Sequence, residues 1–292
     1  MDMLQAKLEE KFPEYEIIIE YMSTSNIASK VIEEGKYSDC DIIYELEYGY
    51  LEKIVTQNKL AKLNENYDLS SYHEDFVWDS LKDYVVPNLR IGGGIIINNY
   101  VLEKENIEKP SSYKDLLDPK YKNLISTPSP KSSSTGYMFL LSLINSVGEE
   151  AAIDYFNQLT ENIISYTSSG SGPVNALVSR EAAIGFGMIT QAVDKINSSV
   201  DELEIVFFEE GAPYALYGSG IVKGKETRES VQKVMDYIHD EYNELANEKY
   251  YPEKLFKDKI VEIENFPKNI NYSDMSGNTI SRKEEILSKW SH

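Results

Sequence analysis

Thr127-Pro-Ser-Pro-Lys-Ser-Ser-Ser-Thr-Gly-Tyr137 is where an extended loop turns into a buried helix. Pro128 and Pro130 lack backbone donors and forbid helix, so the segment enters extended. Met138-Phe-Leu-Leu-Ser-Leu-Ile144 follows as an apolar run that predicts a buried helix. Ser and Thr just before such a run are helix N-caps, which satisfy orphan backbone N–H groups. The same arrangement suits an anion, because free N–H groups, hydroxyl donors and the positive end of the helix dipole converge on one point. A capped helix and nothing more is the plain alternative.

The chain around this stretch has 292 residues, long for one core and suited to two lobes. Its apolar content of 41% predicts a packed globular protein. A formal charge of −20 argues against nucleic-acid backbones and anionic membranes, which need a basic face. It leaves room for a small anion, since a few local donors can overrule the global field. Cys40 is the single cysteine, so an intrachain disulfide is excluded. No apolar run reaches the roughly 18 residues of a membrane span.

Upstream of the central stretch, Leu4, Leu8 and Phe12 fall at helical spacing, and Tyr15–Tyr21 is β-branched enough to predict a buried strand. Met22-Ser-Thr-Ser-Asn26 precedes a helix that stops at Gly35; Ser23 and Thr24 make it a first candidate ligand loop. Asp41–Tyr44 predicts a strand, and Glu45–Tyr50 after it a second candidate loop that includes Tyr48. Asp83–Pro87 and Ile91–Asn98 predict two extended segments, the second with a bend or close backbone approach at its three glycines. Ser111–Tyr121 predicts a short helix.

Downstream, Glu149–Leu159 predicts an amphipathic helix and Ile163–Tyr166 a strand. Thr167-Ser-Ser-Gly-Ser-Gly-Pro173 then repeats the logic of the central stretch: a strand, a Gly/Ser-rich turn and a helix start with Pro in its first turn. Ala182–Ile189 predicts a buried strand with Thr190 and Gln191 at its end. Ile205–Phe208 predicts another strand, from which Glu209–Tyr214 crosses to Tyr217–Val222; Glu229–Ala246 predicts one long helix, and Ser281–Trp290 a last helix. Alternating helices and strands are the pattern of an α/β fold with parallel strands, whose ligands gather at the strands' carboxyl ends.

In this order, Ser111–Asn123, Ser132–Tyr137, Tyr166–Pro173, Ser179–Gly185, Glu209–Tyr214 and the tail Arg282–Trp290 resemble the substrate-binding proteins of ABC importers. The resemblance is to the group with ferric-iron, aminoethylphosphonate and hexose-phosphate binders, and spans about two thirds of the chain by eye. It implies a two-lobed α/β fold of the periplasmic-binding-protein type (type II), with mixed sheets, flanking helices and a ligand cleft between lobes. The lobes are expected at residues 1–97 plus 215–265 and 98–214 plus 266–292, hinged near 95–100 and 212–218.

The resemblance assigns anion binding to Ser132, Ser133, Thr135 and Gly136, and to Ser169, Gly170 and Ser171; Ser134, Thr167 and Ser168 of the same turns are further candidates. Thr190 and Gln191 extend this set. Tyr48, Tyr137 and Tyr214 are expected to flank the rest of the ligand. The partners implied are a small phosphonate or phosphate-ester solute and the membrane permease subunits, with a monomeric binding protein outside the cytoplasmic membrane. No cofactor, catalytic residue, metal site or nucleic-acid partner is expected. The family opens with a strand before its first helix, so a strand, a ligand loop and an export signal or lipid anchor are expected upstream of Met1.

Two departures bear on the ligand. Ferric binders carry adjacent tyrosines where this chain has Met188-Ile-Thr-Gln191, which disfavours a hard metal. Ala215 stands where an acidic residue often meets sugar hydroxyls. Ferric iron is the alternative ligand. A small-molecule enzyme is the alternative class, although His73, His239 and His292 lie in no triad or HExxH context.

Overall fold

The computed structural model describes residues 2–251, 253 and 255–292. In chain order the elements are α1 (Asp2–Lys11), α2 (Thr24–Glu34), β1 (Ile42–Glu47), α3 (Tyr48–Thr56), β2 (Val86–Asn98) and α4 (Asn99–Glu105). Next come β3 (Ile125–Pro128), α5 (Ser134–Val147), α6 (Glu149–Leu159), β4 (Ile163–Thr167), α7 (Gly172–Val178), β5 (Ile184–Met188) and α8 (Ile189–Asn197). The chain ends with β6 (Leu203–Val206), β7 (Tyr214–Ile221), α9 (Glu229–Tyr237), α10 (Asn243–Tyr250) and α11 (Ile280–Ser288). It packs as two units: Met1–Arg90 with Leu216–Val261, and Ile91–Ala215 with Glu262–His292.

In unit 1, β1 runs antiparallel to β7, Ile42 opposite Ile221 and Leu46 opposite Gly218, with a register shift between Ile43 and Leu46. The core holds Tyr48, Leu51, Ile54, Leu60 and Phe76. A second cluster joins Leu4, Leu8 and Phe12 of α1 to Tyr237, Tyr242 and Ala246. Tyr15–Tyr21, expected as a buried strand, is not one. It alternates between half-buried and exposed residues as a strand would, yet joins no ladder, and Ile18 and Tyr21 are 80% and 81% exposed. Its inward residues Ile17 and Ile19 are covered by the α1 cluster instead, so burial is reached without backbone pairing. The helix expected over 229–246 is interrupted by a π-helical turn at Ile238–Tyr242.

Unit 2 is built on a mixed sheet in the order β6, β2, β5, β3, β4. β2 is antiparallel to both β5 and β6, while β3 is parallel to both β5 and β4. Of the segment expected at 83–87, Asp83 and Tyr84 form a turn and only Val86 and Pro87 join a strand; the segment expected at 91–98 is part of that longer strand, β2, which begins at Val86. Its glycines mark a close approach rather than a bend: a Cβ on Gly93 would lie 2.7 Å from Met138 Cε and 2.8 Å from Phe139 Cζ. Met138 to Ile144 of α5 are all buried, as expected of a helix apolar on every side. The helix expected at 111–121 is two short 3-10 turns, Asp115–Leu117 and Pro119–Tyr121, because Pro119 cuts the segment in two.

Candidate functional site: two turns that meet in unit 2

Sheet topology brings the two Ser/Thr-rich turns together. β3 and β4 are parallel neighbours, with Thr127 opposite Tyr166 and Pro128 opposite Thr167. They therefore end side by side, and the loops that leave them start at one edge. Ser129 N–H donates to Thr167 O (2.8 Å), which carries the pairing one residue beyond the strand.

Ser133 is the N-cap of α5, with extended backbone, and its Oγ accepts from Gly136 N–H at 3.4 Å. Tyr137 N–H is taken by Ser133 O. The N–H groups of Ser134 and Thr135 have no intrahelical acceptor, as at any helix start. Gly136 admits the proline-rich loop: a Cβ there would sit 2.5 Å from Pro128 O and 2.8 Å from Pro130 N.

The second turn closes on the first. A Cβ on Gly170 would lie 2.2 Å from Thr135 Oγ1 and 3.5 Å from Ser133 Oγ. Gly170 is thus in contact with the start of α5, and only glycine fits there without displacing Thr135. Within the turn, Thr167 Oγ1 donates to Ser169 O (2.9 Å), and the hydroxyls of Ser169 and Ser171 lie 3.1 Å apart. Ser133 and Thr135 are buried, whereas Ser132, Ser168 and Ser169 are exposed and Ser134, Thr167, Gly170 and Ser171 half-buried.

β5 feeds a third segment to the same edge. Gln191, in the first turn of α8, donates from Nε2 to Ser171 O (3.1 Å) and to Asn175 Oδ1 (3.0 Å). Its Oε1 is buried without a hydrogen-bond partner among the described residues. Thr190 beside it is half-buried. Asn175 is a residue that sequence reasoning missed; in the sequence it is one more polar position on a short helix.

The remaining expected residues fall elsewhere. Tyr137 is buried, with Lys283 Nζ of α11 at 4.7 Å from its ring centroid. Lys283 is itself buried and places a cation near the first turn of α5. Lys283 falls in the tail Arg282–Trp290 that carries the resemblance, but nothing in that stretch singles it out as a site residue. Tyr214 is half-buried, its ring edge-on to Tyr272 at 5.2 Å. Ser23 and Thr24 belong to unit 1, at the start of α2; Ser23 is exposed and makes no side-chain cap bond. Tyr48, expected beside the ligand, is a core residue: it is 1% exposed, donates its hydroxyl to Phe76 O (2.6 Å) and packs edge-on against Trp78. Its ring is consumed by packing because α3 starts directly at the end of β1.

The two turns present hydroxyls and backbone N–H groups and contain no carboxylate, so their chemistry is that of donors to a negative group. Among the described residues no group of three or more His, Cys, Asp or Glu is placed to hold a metal ion. No helix among them is long and apolar enough to cross a membrane.

Residues 14–273 match the family described as bacterial extracellular solute-binding protein. An uncharacterised protein of Haemophilus influenzae is 30% identical over 219 residues, 72% of this chain and 63% of that protein. The chain thus spans less than two thirds of that relative's length. Among solved structures, the periplasmic binding protein P5PA superposes with a TM-score of 0.82 at 22% identity, over 99% of this chain and 95% of that one. AfuA from Actinobacillus pleuropneumoniae, with exogenous fructose-6-phosphate bound, gives 0.80 at 22% identity, over 99% and 94%. Iron-bound HitA from Pseudomonas aeruginosa gives 0.79 at 18% identity, over 98% and 93%. At these identities the structures share the fold, that of two-lobed binding proteins.

Proposed function

The chain belongs to the bacterial extracellular solute-binding protein family, and from that premise we propose that it captures a small phosphate ester or phosphonate for an ABC importer. The observation that carries this reading is the contact of Gly170 with Thr135 and Ser133, which sets two donor-lined turns against each other at one edge of unit 2. Phosphate oxygens accept from N–H and O–H groups, and a helix start adds its dipole. Lys283 near the first turn of α5 adds positive charge. The neighbour with bound fructose-6-phosphate supports a phosphorylated ligand, while Ala215 leaves no acidic side chain at that position for sugar hydroxyls.

In this role the protein is a monomeric carrier outside the cytoplasmic membrane, and the permease subunits of the importer receive its cargo. Thermal melting against a ligand panel tests the reading. Phosphate esters or phosphonates at a hundredfold excess over Kd stabilise by about 2.7 kcal/mol, and ferric salts leave the midpoint unchanged. A shift with ferric salts alone transfers the reading to iron, and turnover of any compound transfers it to an enzyme. Thr135→Ala and Ser169→Ala each weaken the anion by about 1.5–3 kcal/mol, the range for a hydrogen bond to a charged group. Parental affinity in both variants reduces the two turns to helix caps.

A further inference from the structure

The second turn of unit 2 hangs from the edge of its sheet. β4, which feeds it, is laddered to β3 alone among the described residues. β5, which feeds Gln191, lies inside the sheet, with β2 on one side and β3 on the other. Gln191 sits in the first turn of α8, directly after β5, so a strand paired on both sides carries it. From there its Nε2 donates to Ser171 O (3.1 Å) and to Asn175 Oδ1 (3.0 Å). A carbonyl oxygen only accepts, so the bond to Ser171 O fixes which end of the amide is nitrogen. Within the turn, Thr167 Oγ1 and Gly172 N–H (3.3 Å) both donate to Ser169 O. Those bonds shape the turn. Ser129 N–H holds its first residue, at Thr167 O, and the Gln191 amide holds its last.

The amide is a poor stabiliser in this place. Its Oε1 is buried with no hydrogen-bond partner among the described residues, and an unmet acceptor away from water is costly. A methionine, flexible and of nearly the same length, fills the space without that cost. What the amide alone supplies is a donor to Ser171 O. That bond sets the far end of a turn whose middle, Gly170, touches Thr135 and Ser133. The two turns act on one anion only while that contact is kept, and a site loosened by about 1 Å fails for want of support.

We propose that Gln191 is a positioning residue of the anion site: it holds the second turn against the start of α5 and makes no contact with the solute. Asn175 is the second anchor of its amide. The proposal rests on the reading of the two turns as a phosphate-ester or phosphonate site, and it changes the role expected of Gln191 from ligand contact to support. Three measurements on Gln191→Met test it: calorimetric titration with ethyl phosphate, the thermal midpoint, and amide exchange of residues 167–175 in the solute-free protein. Affinity falls about tenfold, the lower end of the range for removing a partner that orients a ligand-binding group. The midpoint stays within about 2 °C, because removal of the sealed oxygen offsets the lost hydrogen bonds. Exchange over 167–175 rises at least about fivefold as a local opening, while that of β5 is unchanged. Weaker binding with parental exchange makes Gln191 a solute contact and overturns the assignment. Faster exchange with parental affinity makes the bond purely structural and overturns it too. Should Gln191→Met fail to fold, Asn175→Ala, at an exposed position of α7, must weaken binding and speed exchange together by at least about twofold; parental values for either overturn the assignment. In each of these cases the parent still binds ethyl phosphate and the anion reading stands. No binding by the parent overturns that reading, and the assignment with it.

Discussion

The starts of α5 and α2 look alike in sequence and differ in the fold. Each follows a β-branched segment, and each opens on Ser and Thr, with Ser133 before one helix and Ser23 before the other. Ser133 caps its helix and is touched by Gly170 of a second turn. Ser23 makes no side-chain cap bond and is exposed, with its hydroxyl 3.4 Å from that of Ser25. The difference lies in the preceding segment. β3 is laddered on both sides, so its loop must share an edge with the loop of β4. Tyr15–Tyr21 joins no ladder among the described residues, so no strand pairing sets the loop after it beside another. A hydroxyl-rich helix start becomes part of a site through the strand that feeds it.

The sharpest way to break this contrast is at Tyr48. If Tyr48 is packing rather than a ligand contact, Tyr48→Ala costs about 3–5 kcal/mol in denaturant unfolding, as large-to-small core substitutions do. A stability loss under about 1 kcal/mol would return Tyr48 to the ligand. Gly170→Ala comes next. A methyl group placed 2.2 Å from Thr135 Oγ1 overpacks the junction by about 1–3 kcal/mol, with loss of phosphate-ester binding in titration. An unchanged melt and unchanged binding would show that the two turns do not need their contact.

Glu45 gives a pH-dependent probe of unit 1. Burial raises its carboxyl in the folded protein, so the folded chain keeps a proton where the unfolded chain has already lost it. Stability from this group is full below the ordinary glutamate value and falls as pH rises toward the raised one. The parent therefore loses urea stability relative to Glu45→Gln as pH rises above the ordinary glutamate range. A constant difference over that rise would show that burial leaves the group unshifted. The smallest effect belongs to Ser23→Ala, within about 0.5 kcal/mol in the same assay because no cap bond is removed. A loss near 1 kcal/mol would mean that the α2 start is capped in solution as α5 is.

Local signals carried much of the fold. The prolines at 128 and 130, the apolar run from Met138 and the Ser-rich turn after Tyr166 were enough to place β3, α5, β4 and α7. Pattern failed where burial and pairing came apart. Tyr15–Tyr21 has the composition of a strand, but composition reports apolar faces, and the α1 cluster covers them without a ladder. Ile238–Tyr242 reads as helix because the apolar spacing continues through the π-helical turn. At the candidate site, residue types were visible and contacts were not. Nothing in sequence separates Tyr48, which ends in the core, from Tyr214, which does not. Neither Lys283 under Tyr137 nor the buried Ser219–Asn88–Asn243 chain of hydrogen bonds in unit 1 has a local signature, since each joins residues more than a hundred positions apart.

The loop of Pro128 and Pro130 packs against Gly136 so closely that a single methyl group would not fit between them. On the proposed reading, the donors of the α5 start are thereby aimed before any solute arrives, and little ordering remains to be done at the moment of capture. Affinity differences among related phosphates should then appear as residence times, with arrival rates nearly constant across the series.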